Sequence, residues 1–315
     1  MTRPGAPLAS VVARGEVAVL GLGRSGVAAA RLLVAHGAAV YASDAGATPT
    51  AHAAAEALAV IGVAVDVGTH DLARLARAGT VVASPGIPPS APPRRAALAA
   101  GVPIISEIEL ALPALAGVPS IATTGTNGKT TVTALIGHLL RALGHHAVEA
   151  GNIGTPLAEV ALAAERPDWV ALEVSSFQLH DTPSIAPTVA MLTNLAPDHL
   201  DRYASLDAYY GDKMRLFANA ADGSVRVVNG DDAEVMARTA PFPGRVARFS
   251  LHDPTATAWF DDASQRLMLA GAPLLARETL PLLGAHNVAN ALGAALAVWA
   301  ADPAHQTPTA RAALA

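Results

Sequence analysis

The sequence predicts an α/β protein of two domains, each built around a mostly parallel sheet. Short runs of β-branched residues alternate with Ala- and Leu-rich amphipathic stretches along the chain, which is the pattern of strand–helix–strand units. The chain has 315 residues, of which 52% are apolar and 15% are charged. It is therefore long and apolar enough to bury two cores.

In the first half, five apolar runs predict strands and the stretches between them predict helices. The predicted strands are residues 17–20, 39–42, 63–67, 81–83 and 102–105. Pro113, Gly117 and Pro119 then interrupt the alternation. Because proline and glycine break regular structure, we place a domain boundary after residue 112.

A second series of elements follows this break. Strands are predicted at 121–124, 169–172, 189–195 and 225–228, and helices at 130–143, 206–218 and 286–301. From residue 303 the sequence becomes rich in Pro and Thr, which is typical of a linker. We therefore expect a first domain at residues 1–112, a second at 113–302 and a linker stub at 303–315.

Composition excludes several classes of function. The net charge is −5 without a block of basic residues, so nonspecific binding to nucleic acid or to an anionic membrane has no electrostatic basis. The absence of cysteine excludes disulfides, thiolate zinc sites and cysteine nucleophiles. No segment has the pattern of a signal peptide or a membrane span. We expect a cytoplasmic protein that holds any phosphate in a local site.

A glycine-rich turn, residues 21–26 (GLGRSG), follows the first strand and begins a helix, and Asp44 closes the second strand. Such a turn lets the backbone approach a diphosphate at a helix N-terminus, while the acidic residue accepts from a ribose or base. The turn alone also fits a nicotinamide dehydrogenase, or a turn that serves only helix-on-strand packing.

Residues 124–131 (TGTNGKTT) lie between a predicted strand and a predicted helix. Their backbone N–H groups can cradle phosphates, Lys129 can neutralise the β/γ oxygens, and the Thr130 hydroxyl can ligate Mg²⁺. Thr123 stands where the usual pattern has its first glycine. A purely structural turn has no use for Gly-Lys-Thr at this junction, so we interpret the segment as a phosphate loop.

Polar groups that could complete a nucleotide site follow later strands. Glu173 ends one strand, residues 198–203 (DHLDRY) follow another, and Lys213 lies on the next helix. Asn287 and Asn290 share one face of the last helix. At the carboxyl edge of a sheet these groups offer metal ligands and hydrogen bonds to a nucleotide. Each also has a plainer interpretation, as a solvated turn, a surface charge or a helix cap.

In this order the segments resemble the Mur ligases, ATP-dependent enzymes that add amino acids to the UDP-muramoyl precursor of peptidoglycan. Residues 21–26, 84–88 (SPGIP) and 173–179 (EVSSFQL) resemble the members that join D-glutamate to UDP-N-acetylmuramoyl-L-alanine. The resemblance implies a Rossmann-like UDP-binding domain followed by a P-loop ATPase-type α/β central domain. It also implies an acyl-phosphate intermediate, formed from ATP.

The resemblance implies three sets of site residues. The ATP-binding residues would be Gly125, Thr126, Asn127, Gly128, Lys129, Thr130, Thr131, Asn287 and Asn290. The residues that bind the UDP substrate would be Gly23, Arg24, Ser25, Gly26, Asp44, Ser84, Asn152, Ser175, Gln178 and His199. Two Mg²⁺ sites would use Thr130, Glu173, His199 and Lys213, with Lys213 carbamylated by CO₂. The catalytic set would be Lys129, Glu173, His199 and Lys213.

The sequence departs from the family at its C-terminus. Family members carry a third domain that binds the incoming amino acid, whereas this chain stops about 25 residues after Asn290. We therefore expect a truncated monomer that is inactive or nearly so by itself. A non-catalytic fragment that binds UDP-muramoyl-alanine and ATP is the alternative. Folylpolyglutamate synthase shares the central pattern but lacks the UDP-binding half.

Overall fold

The computed structural model describes residues 8–315, so the first seven residues of the predicted 1–112 domain lie outside the described residues. The first half contains a five-stranded sheet with strands β1 (Val17–Leu20), β2 (Val40–Asp44), β3 (Ala64–Val67), β4 (Thr80–Ala83) and β5 (Ile104–Ile105). The strands are all parallel in the order β3-β2-β1-β4-β5. Ligands of such a sheet bind beyond the carboxyl end of its central strands, where the strand order reverses.

Six helices accompany this sheet: α1 (Leu8–Val12), α2 (Arg24–Ala35), α3 (Pro49–Ala59), α4 (Leu72–Leu75), α5 (Pro92–Ala99) and α6 (Glu107–Ala111). β1 is buried at every position, since helices cover both faces of a parallel sheet. A 3₁₀ turn at Leu112–Leu115 leads into the second half.

The second half contains a nine-stranded sheet. Its strands are β6 (Ser120–Thr124), β7 (Ala147–Gly151), β8 (Trp169–Glu173), β9 (Val189–Leu192), β10 (Val225–Asn229), β11 (Arg245–Ser250), β12 (Ala258–Asp261), β13 (Arg266–Leu269) and β14 (Ala272–Ala276). They lie in the order β14-β13-β12-β11-β10-β9-β6-β8-β7. Strands β6 to β12 are all parallel. β13 and β14 are added antiparallel at one edge.

The helices of this half are α7 (Lys129–Ala142), α8 (Leu157–Leu162), α9 (Ser176–His180), α10 (Leu206–Met214), α11 (Ala233–Thr239), α12 (Ala285–Ala301) and α13 (Pro308–Ala313). Further 3₁₀ turns lie at Arg215–Phe217, Arg277–Thr279 and Pro303–Gln306. β6 lies between β8 and β9, so the loops that follow these three strands meet at one edge of the sheet.

All nine predicted strands are present, with ends that differ by a few residues, and so are the three predicted helices. The predicted strand at 189–195 ends at Leu192, because the next residues turn to support the loop after β6. The helix expected at 206–218 ends at Met214 and continues as a 3₁₀ turn. The expectation missed β7 and β11–β14, whose short runs contain charged or turn-forming residues.

Residues 303–315, which we expected to be a linker, are ordered and packed instead. They form the turn Pro303–Gln306 and then α13. His305 and Leu314 are buried, and Arg311 Nη1 donates to the backbone carbonyl of Leu269 at 2.7 Å. This segment therefore belongs to the core of the second half. Among residues 8–315, no helix is long and apolar enough to cross a membrane.

The two halves share one apolar core across the seam between the sheets. Helices α2, α6 and α8 pack on one another there, and a single cluster of buried side chains extends from the first sheet to the second. Two carboxylates of α6 accept backbone N–H groups from the second half: Glu107 from Ala158, and Glu109 from Ser184 at 3.1 Å. Burial raises the pKa of Glu107 to about 7.

A buried ion pair spans the same seam. Arg94 of α5 donates two hydrogen bonds of 2.8 Å to the carboxylate of Asp181, and the two side chains are only 5% and 9% exposed. Planar, two-point pairing of this kind fixes orientation as well as distance. The pair therefore restrains the orientation of the first half against the second.

We predict that Arg94→Met lowers the free energy of unfolding by about 3–5 kcal/mol, because the Asp181 carboxylate would be left buried without its cation. Guanidinium titration followed by circular dichroism measures this change. Arg95→Met, at the exposed neighbouring position of the same helix, is the matched control and should change stability by less than about 0.5 kcal/mol. Equal stabilities of the two variants would contradict the role assigned to the pair.

Candidate active site

The glycine-rich turn of the first half is built by close backbone approaches. Gly21 has φ +95°, and a Cβ at Gly26 would lie 1.9 Å from the carbonyl oxygen of Gly21. Only glycine at position 26 lets the first turn of α2 come this near the end of β1. The N-terminus of α2 consequently opens into a cleft of about 520 Å³ that Arg24, Asp44 and Glu159 line.

Asp44 holds this turn in place. Its carboxylate accepts the backbone N–H of Leu22 and that of Gly46, both at 2.8 Å. Ser84, after β4, packs against the turn, since a Cβ on Gly21 would lie 2.6 Å from its hydroxyl oxygen. That hydroxyl is buried and has no hydrogen-bond partner within residues 8–315. A buried donor without an acceptor is costly, so a ligand oxygen that reaches it would be favoured.

The phosphate loop after β6 is supported from β9. The side chain of Asn194 accepts the N–H of Asn127 at 2.9 Å and donates to its carbonyl at 3.0 Å. Thr193 donates to the same carbonyl at 2.7 Å. Gly128, at φ +81°, is the N-cap of α7, and a Cβ there would lie 2.5 Å from Oδ1 of Asn290. The loop is thus fixed in a conformation that requires glycine.

The only two lysines of the chain meet at this loop. The other 19 of its 21 Lys and Arg residues are arginines. Both lysines donate a hydrogen bond to the carbonyl of Gly125, Lys129 at 3.0 Å and Lys213 at 2.7 Å. Burial, together with the neighbouring Lys129 ammonium, lowers the pKa of Lys213 to about 7, against the opposing effect of Asp198. Burial also lowers the pKa of Lys129, against the opposing effect of Glu173. Lys213 is consequently an amine that is partly neutral near pH 7.

Oxygen ligands lie beside these amines. The Thr130 hydroxyl donates to Oε2 of Glu173 at 3.0 Å, and the Asn152 amide donates to Oε1 at 2.8 Å. Glu173 is 1% exposed and ends β8, next to β6. The structure therefore brings together Thr130, Glu173 and Asn152, which the sequence places on three separate elements.

His199 lies apart from that group. It has φ +53°, is exposed, and packs its ring against Phe177 and Tyr209 with centroid distances of 4.9 and 5.8 Å. The Lys213 ammonium lies 4.5 Å from the centre of the Tyr209 ring. Among the described residues, no three His, Asp or Glu side chains are grouped to hold a metal ion. Of the four predicted metal ligands, Thr130 and Glu173 are therefore in direct contact. His199 and Lys213 both pack against the ring of Tyr209.

Asn287 and Asn290 line the opposite side of the phosphate loop. The Asn290 amide donates to Oδ1 of Asn287 at 3.1 Å, and Asn287 donates to the carbonyl of Leu283 at 2.8 Å. Together with Asn127 and Gly128 they border a cleft of about 770 Å³. The cleft is large enough for a purine nucleoside next to the loop.

Ser175 and Gln178 have a structural role that the sequence prediction did not include. Ser175 caps α9 and accepts from the backbone of Gln178 at 3.3 Å, while Oε1 of Gln178 accepts from the backbone of Ser175 at 3.0 Å. This reciprocal capping box has a recognisable spacing, Ser-x-x-Gln. Their predicted contact with a substrate stays a prediction.

Both glycine-rich loops end in a helix whose first residue is a cation: Arg24 begins α2 and Lys129 begins α7. Each helix has a glycine N-cap without a side-chain cap among the described residues, and neither has an acidic residue in its first turn. The helix dipole disfavours a cation at this position and favours an anion. At both helix starts the dipole therefore favours an anion, and the cation at the first position lowers the stability of the helix.

Sequence reasoning missed the residues that support the phosphate loop, Thr193 and Asn194. They follow β9, although the predicted strand at 189–195 includes them. A polar Thr-Asn pair after an apolar strand, next to the loop strand in the sheet, is the signal that could have identified them.

Two domain families match the sequence. The Mur ligase middle domain matches residues 123–298, and the N-terminal domain of MurD-like Mur ligases matches residues 15–106. The chain belongs to the Mur ligase family. This membership argues against the alternative of a nicotinamide dehydrogenase, because the family accounts for both glycine-rich loops.

Curated relatives share the name UDP-N-acetylmuramoylalanine–D-glutamate ligase. The Syntrophotalea carbinolica protein is 44% identical over 75% of this chain and 52% of its own length. The Frankia casuarinae and Chromobacterium violaceum proteins are 41% and 43% identical over 89% of this chain, and over 59% and 62% of their own lengths. The chain thus spans between 52% and 62% of the length of these relatives.

Solved Mur ligase structures share the fold. A UDP-N-acetylmuramate:L-alanyl-gamma-D-glutamyl-meso-diaminopimelate ligase from Neisseria meningitides superposes with a TM-score of 0.65 at 20% identity, over 95% of this chain and 96% of that one. A murein peptide ligase from Psychrobacter arcticus gives 0.61 at 22% identity, over 95% and 68%. The expected fold class, a Rossmann-like domain followed by a P-loop-type α/β domain, is confirmed.

We predict that Gly26→Ala lowers the free energy of unfolding by about 1–3 kcal/mol, because its Cβ would overlap the Gly21 carbonyl. Gly23→Ala is the matched control: its Cβ would meet no atom within 4 Å, and its φ of −71° suits alanine. The control should change stability by about 1 kcal/mol or less. Urea titration measures both variants, and a fully stable Gly26→Ala would show that the turn is looser than described.

Proposed function

We propose that this chain carries the UDP-substrate site and the ATP site of a ligase that joins D-glutamate to UDP-N-acetylmuramoyl-L-alanine. The observation that carries the proposal is the pair of cation-first helix starts, one at the edge of each sheet. The name shared by the curated relatives supports the reaction. The division into domains at residues 1–112 and 113–302 is part of the proposal, as are a cytoplasmic location and a monomeric state.

In the first domain, the diphosphate of the UDP substrate would lie at the N-terminus of α2. Arg24 would pair with a phosphate oxygen, and the N–H groups of Gly23, Ser25 and Gly26 are in the first turn, where donors are free to point at an anion. The unpartnered Ser84 hydroxyl supports a ligand at the same turn. Asp44 would act mainly by holding the turn, since both of its oxygens already accept backbone N–H groups.

In the second domain, the loop at residues 124–131 would hold the phosphates of ATP, and Asn287 and Asn290 would contact the adenosine. The terminal carboxylate of the muramoyl-alanine attacks the γ-phosphorus, and ADP leaves with the electron pair of the broken P–O bond. The amine of D-glutamate then attacks the acyl carbon, phosphate leaves, and the amine gives up a proton. Lys129 would stabilise charge on the transferred phosphoryl group.

The donors around Glu173 fit a magnesium ion. A hydroxyl and a carboxylate in contact, Thr130 and Glu173, are the hard oxygen ligands that Mg²⁺ takes together with phosphate and water. When bound, Mg²⁺ would neutralise charge on the phosphates. For the second of the two proposed magnesium sites, His199 and a carbamylated Lys213 would be the ligands. Asn152 orients Glu173, and with Ser175, Gln178 and His199 it would contact the muramoyl-alanine.

Carbamylation of Lys213 has a physical basis in its surroundings. Only a neutral amine attacks CO₂, and burial with a neighbouring ammonium favours the neutral form. The C–N bond forms as the amine loses a proton, which converts a cation beside Lys129 into an anion. The repulsion between the two lysines would then become an attraction.

We predict that Arg24→Met weakens binding of UDP-N-acetylmuramoyl-L-alanine by about 10- to 100-fold, because a charged hydrogen bond is worth about 1.5–3 kcal/mol. Stability should stay the same or rise by about 0.3–1 kcal/mol, since a cation leaves the helix N-terminus. Calorimetry measures the affinity, and thermal unfolding measures the stability. Arg31→Met, on the exposed side of the same helix, is the control and should bind like the parent.

The same titrations test the function. The parent chain should bind UDP-N-acetylmuramoyl-L-alanine more tightly than NADH, and binding of the Mg²⁺ complex of ATP should be lost in Lys129→Ala. Tighter binding of NADH, or unchanged ATP binding in that variant, would reject the proposed assignment of the two loops.

We predict that ¹³C-bicarbonate gives one lysine carbamate signal in ¹³C NMR near neutral pH, and that Lys213→Arg abolishes it. The chain has only one other lysine, so Lys129→Arg is a complete control and should keep the signal. The N-terminal amine gives an internal reference in all three proteins. A signal that survives in Lys213→Arg, or is absent from the parent, would remove the carbamate from the proposal.

A further inference from the structure

Arg202 crosses the seam between the two halves without an ion pair. Its Nη2 donates to the backbone carbonyl of Pro85 at 3.1 Å, and its guanidinium carbon lies 3.8 Å above the centre of the Phe177 ring. Within residues 8–315 it has no carboxylate partner within ion-pair distance, and its buried Nε has no acceptor. The side chain is therefore held by one backbone hydrogen bond and one aromatic face.

Each end of Arg202 contacts one of the proposed sites. Pro85 directly follows Ser84, which packs against Gly21 in the glycine-rich turn. At the other end, the Phe177 ring packs on His199, with 4.9 Å between the ring centres. Arg202 is thus the middle of a continuous set of contacts from the turn of the first half to the histidine of the second.

The same contacts continue toward Lys213. Tyr203 stacks on Phe177 with an interplanar angle of 12°, and it packs on Tyr209 at 5.2 Å. The Lys213 ammonium lies over the Tyr209 ring. A shift of Arg202 would therefore be felt by both His199 and the lysine whose amine bonds the phosphate loop.

The surroundings allow such a shift. Arg202, Phe177 and Pro85 line a cavity of about 110 Å³ in the seam, so packed atoms do not enclose these side chains on all sides. Arg94, on the same cavity, is fixed by its two bonds to Asp181. One arginine of the seam is consequently rigid, whereas the other has room to adopt a second arrangement, as coupling between two sites requires.

We propose that Arg202 is a positioning residue that couples binding of the UDP moiety at the glycine-rich turn to the arrangement of His199, and through it to binding of the magnesium nucleotide. A ligand at the turn that contains Gly21 fixes the loop at Ser84 and Pro85. The carbonyl of Pro85 then holds Arg202, which orients the Phe177 ring and the imidazole packed on it. This inference rests on the proposed function.

The experiment measures coupling between two ligands. Calorimetry gives the affinity for the Mg²⁺ complex of AMP-PNP, a non-hydrolysable ATP analogue, with and without saturating UDP, which lacks the muramoyl-alanine that would contact His199. In the parent chain the second ligand should bind at least about five-fold tighter when the first is present, and by linkage the reverse titration should give the same factor. Arg202→Met should bind each ligand alone but reduce the factor toward one.

A second readout reports on His199 directly. Its ring ¹H–¹³C NMR signal, assigned with His199→Gln, should shift when UDP binds to the parent, and should not shift in Arg202→Met. UDP lacks the muramoyl-alanine that would contact His199 directly. Arg95→Met, an exposed arginine removed from the seam helix, is the control and should keep both the coupling and the shift. Arg202→Lys keeps the charge but not the planar group, so it should lose part of the coupling. If Arg202→Met does not fold, Arg202→Lys is used in its place.

The outcomes separate the two proposals. A parent chain that binds neither ligand would reject the proposed function and this inference with it. A parent that binds both without coupling, or an Arg202→Met variant that keeps the parent's coupling, would overturn this inference alone.

Discussion

A cation at the first position of a helix is the constraint on which both sites of this chain depend. The partial positive charge at a helix N-terminus repels Arg24 on α2 and Lys129 on α7, and glycine N-caps contribute no side-chain hydrogen bond to offset it. α6, by contrast, begins with Ser106 as its cap and has two glutamates in its first turn. The chain thus follows the usual rule at α6 and departs from it at α2 and α7. The cation at each of these two helix starts lowers the stability of the helix, and a bound anion would relieve the repulsion.

The carbonyl of Gly125 shows the same principle at closer range. Two lysines approach one oxygen, and the chain uses lysine nowhere else. Arginine would keep its charge in any such environment, whereas lysine can lose its proton when buried. Apart from Lys129 and Lys213, every Lys or Arg residue of the chain is an arginine. Lysine at position 213 therefore supplies an amine that can be neutral, which arginine could not. A second permanent cation beside Lys129 would repel its ammonium in a buried environment.

How much of this could be predicted from sequence depends on how local the determining interactions are. The loops at 21–26 and 124–131 were identified because turn, helix start and charge all lie within eight residues. Ser175 and Gln178 were assigned to ligand binding, although their spacing also encodes a capping box, so local pattern allowed two roles. Thr193 and Asn194 were missed because their function depends on β9 lying next to β6, a pairing between residues far apart in the chain. The packed segment 303–315 was misread as a linker for a similar reason: its burial comes from contacts with β13 and α12, which composition does not reveal.

The seam between the sheets is the part of the molecule that sequence predicts least, and it decides whether two binding sites can act as one. Arg94, Glu107 and Glu109 join the halves through hydrogen bonds to Asp181, Ala158 and Ser184, which favours one fixed orientation. A completely rigid seam would transmit nothing, because coupling requires an element with two arrangements that both ligands bias. Arg202 supplies the contrast: it lies on the same seam, beside a cavity, with its charge unpaired by any described carboxylate. The ion pair of Arg94 with Asp181 resists rotation of one half against the other. A small displacement of Pro85 would therefore move Arg202 against Phe177 instead of rotating the whole first half.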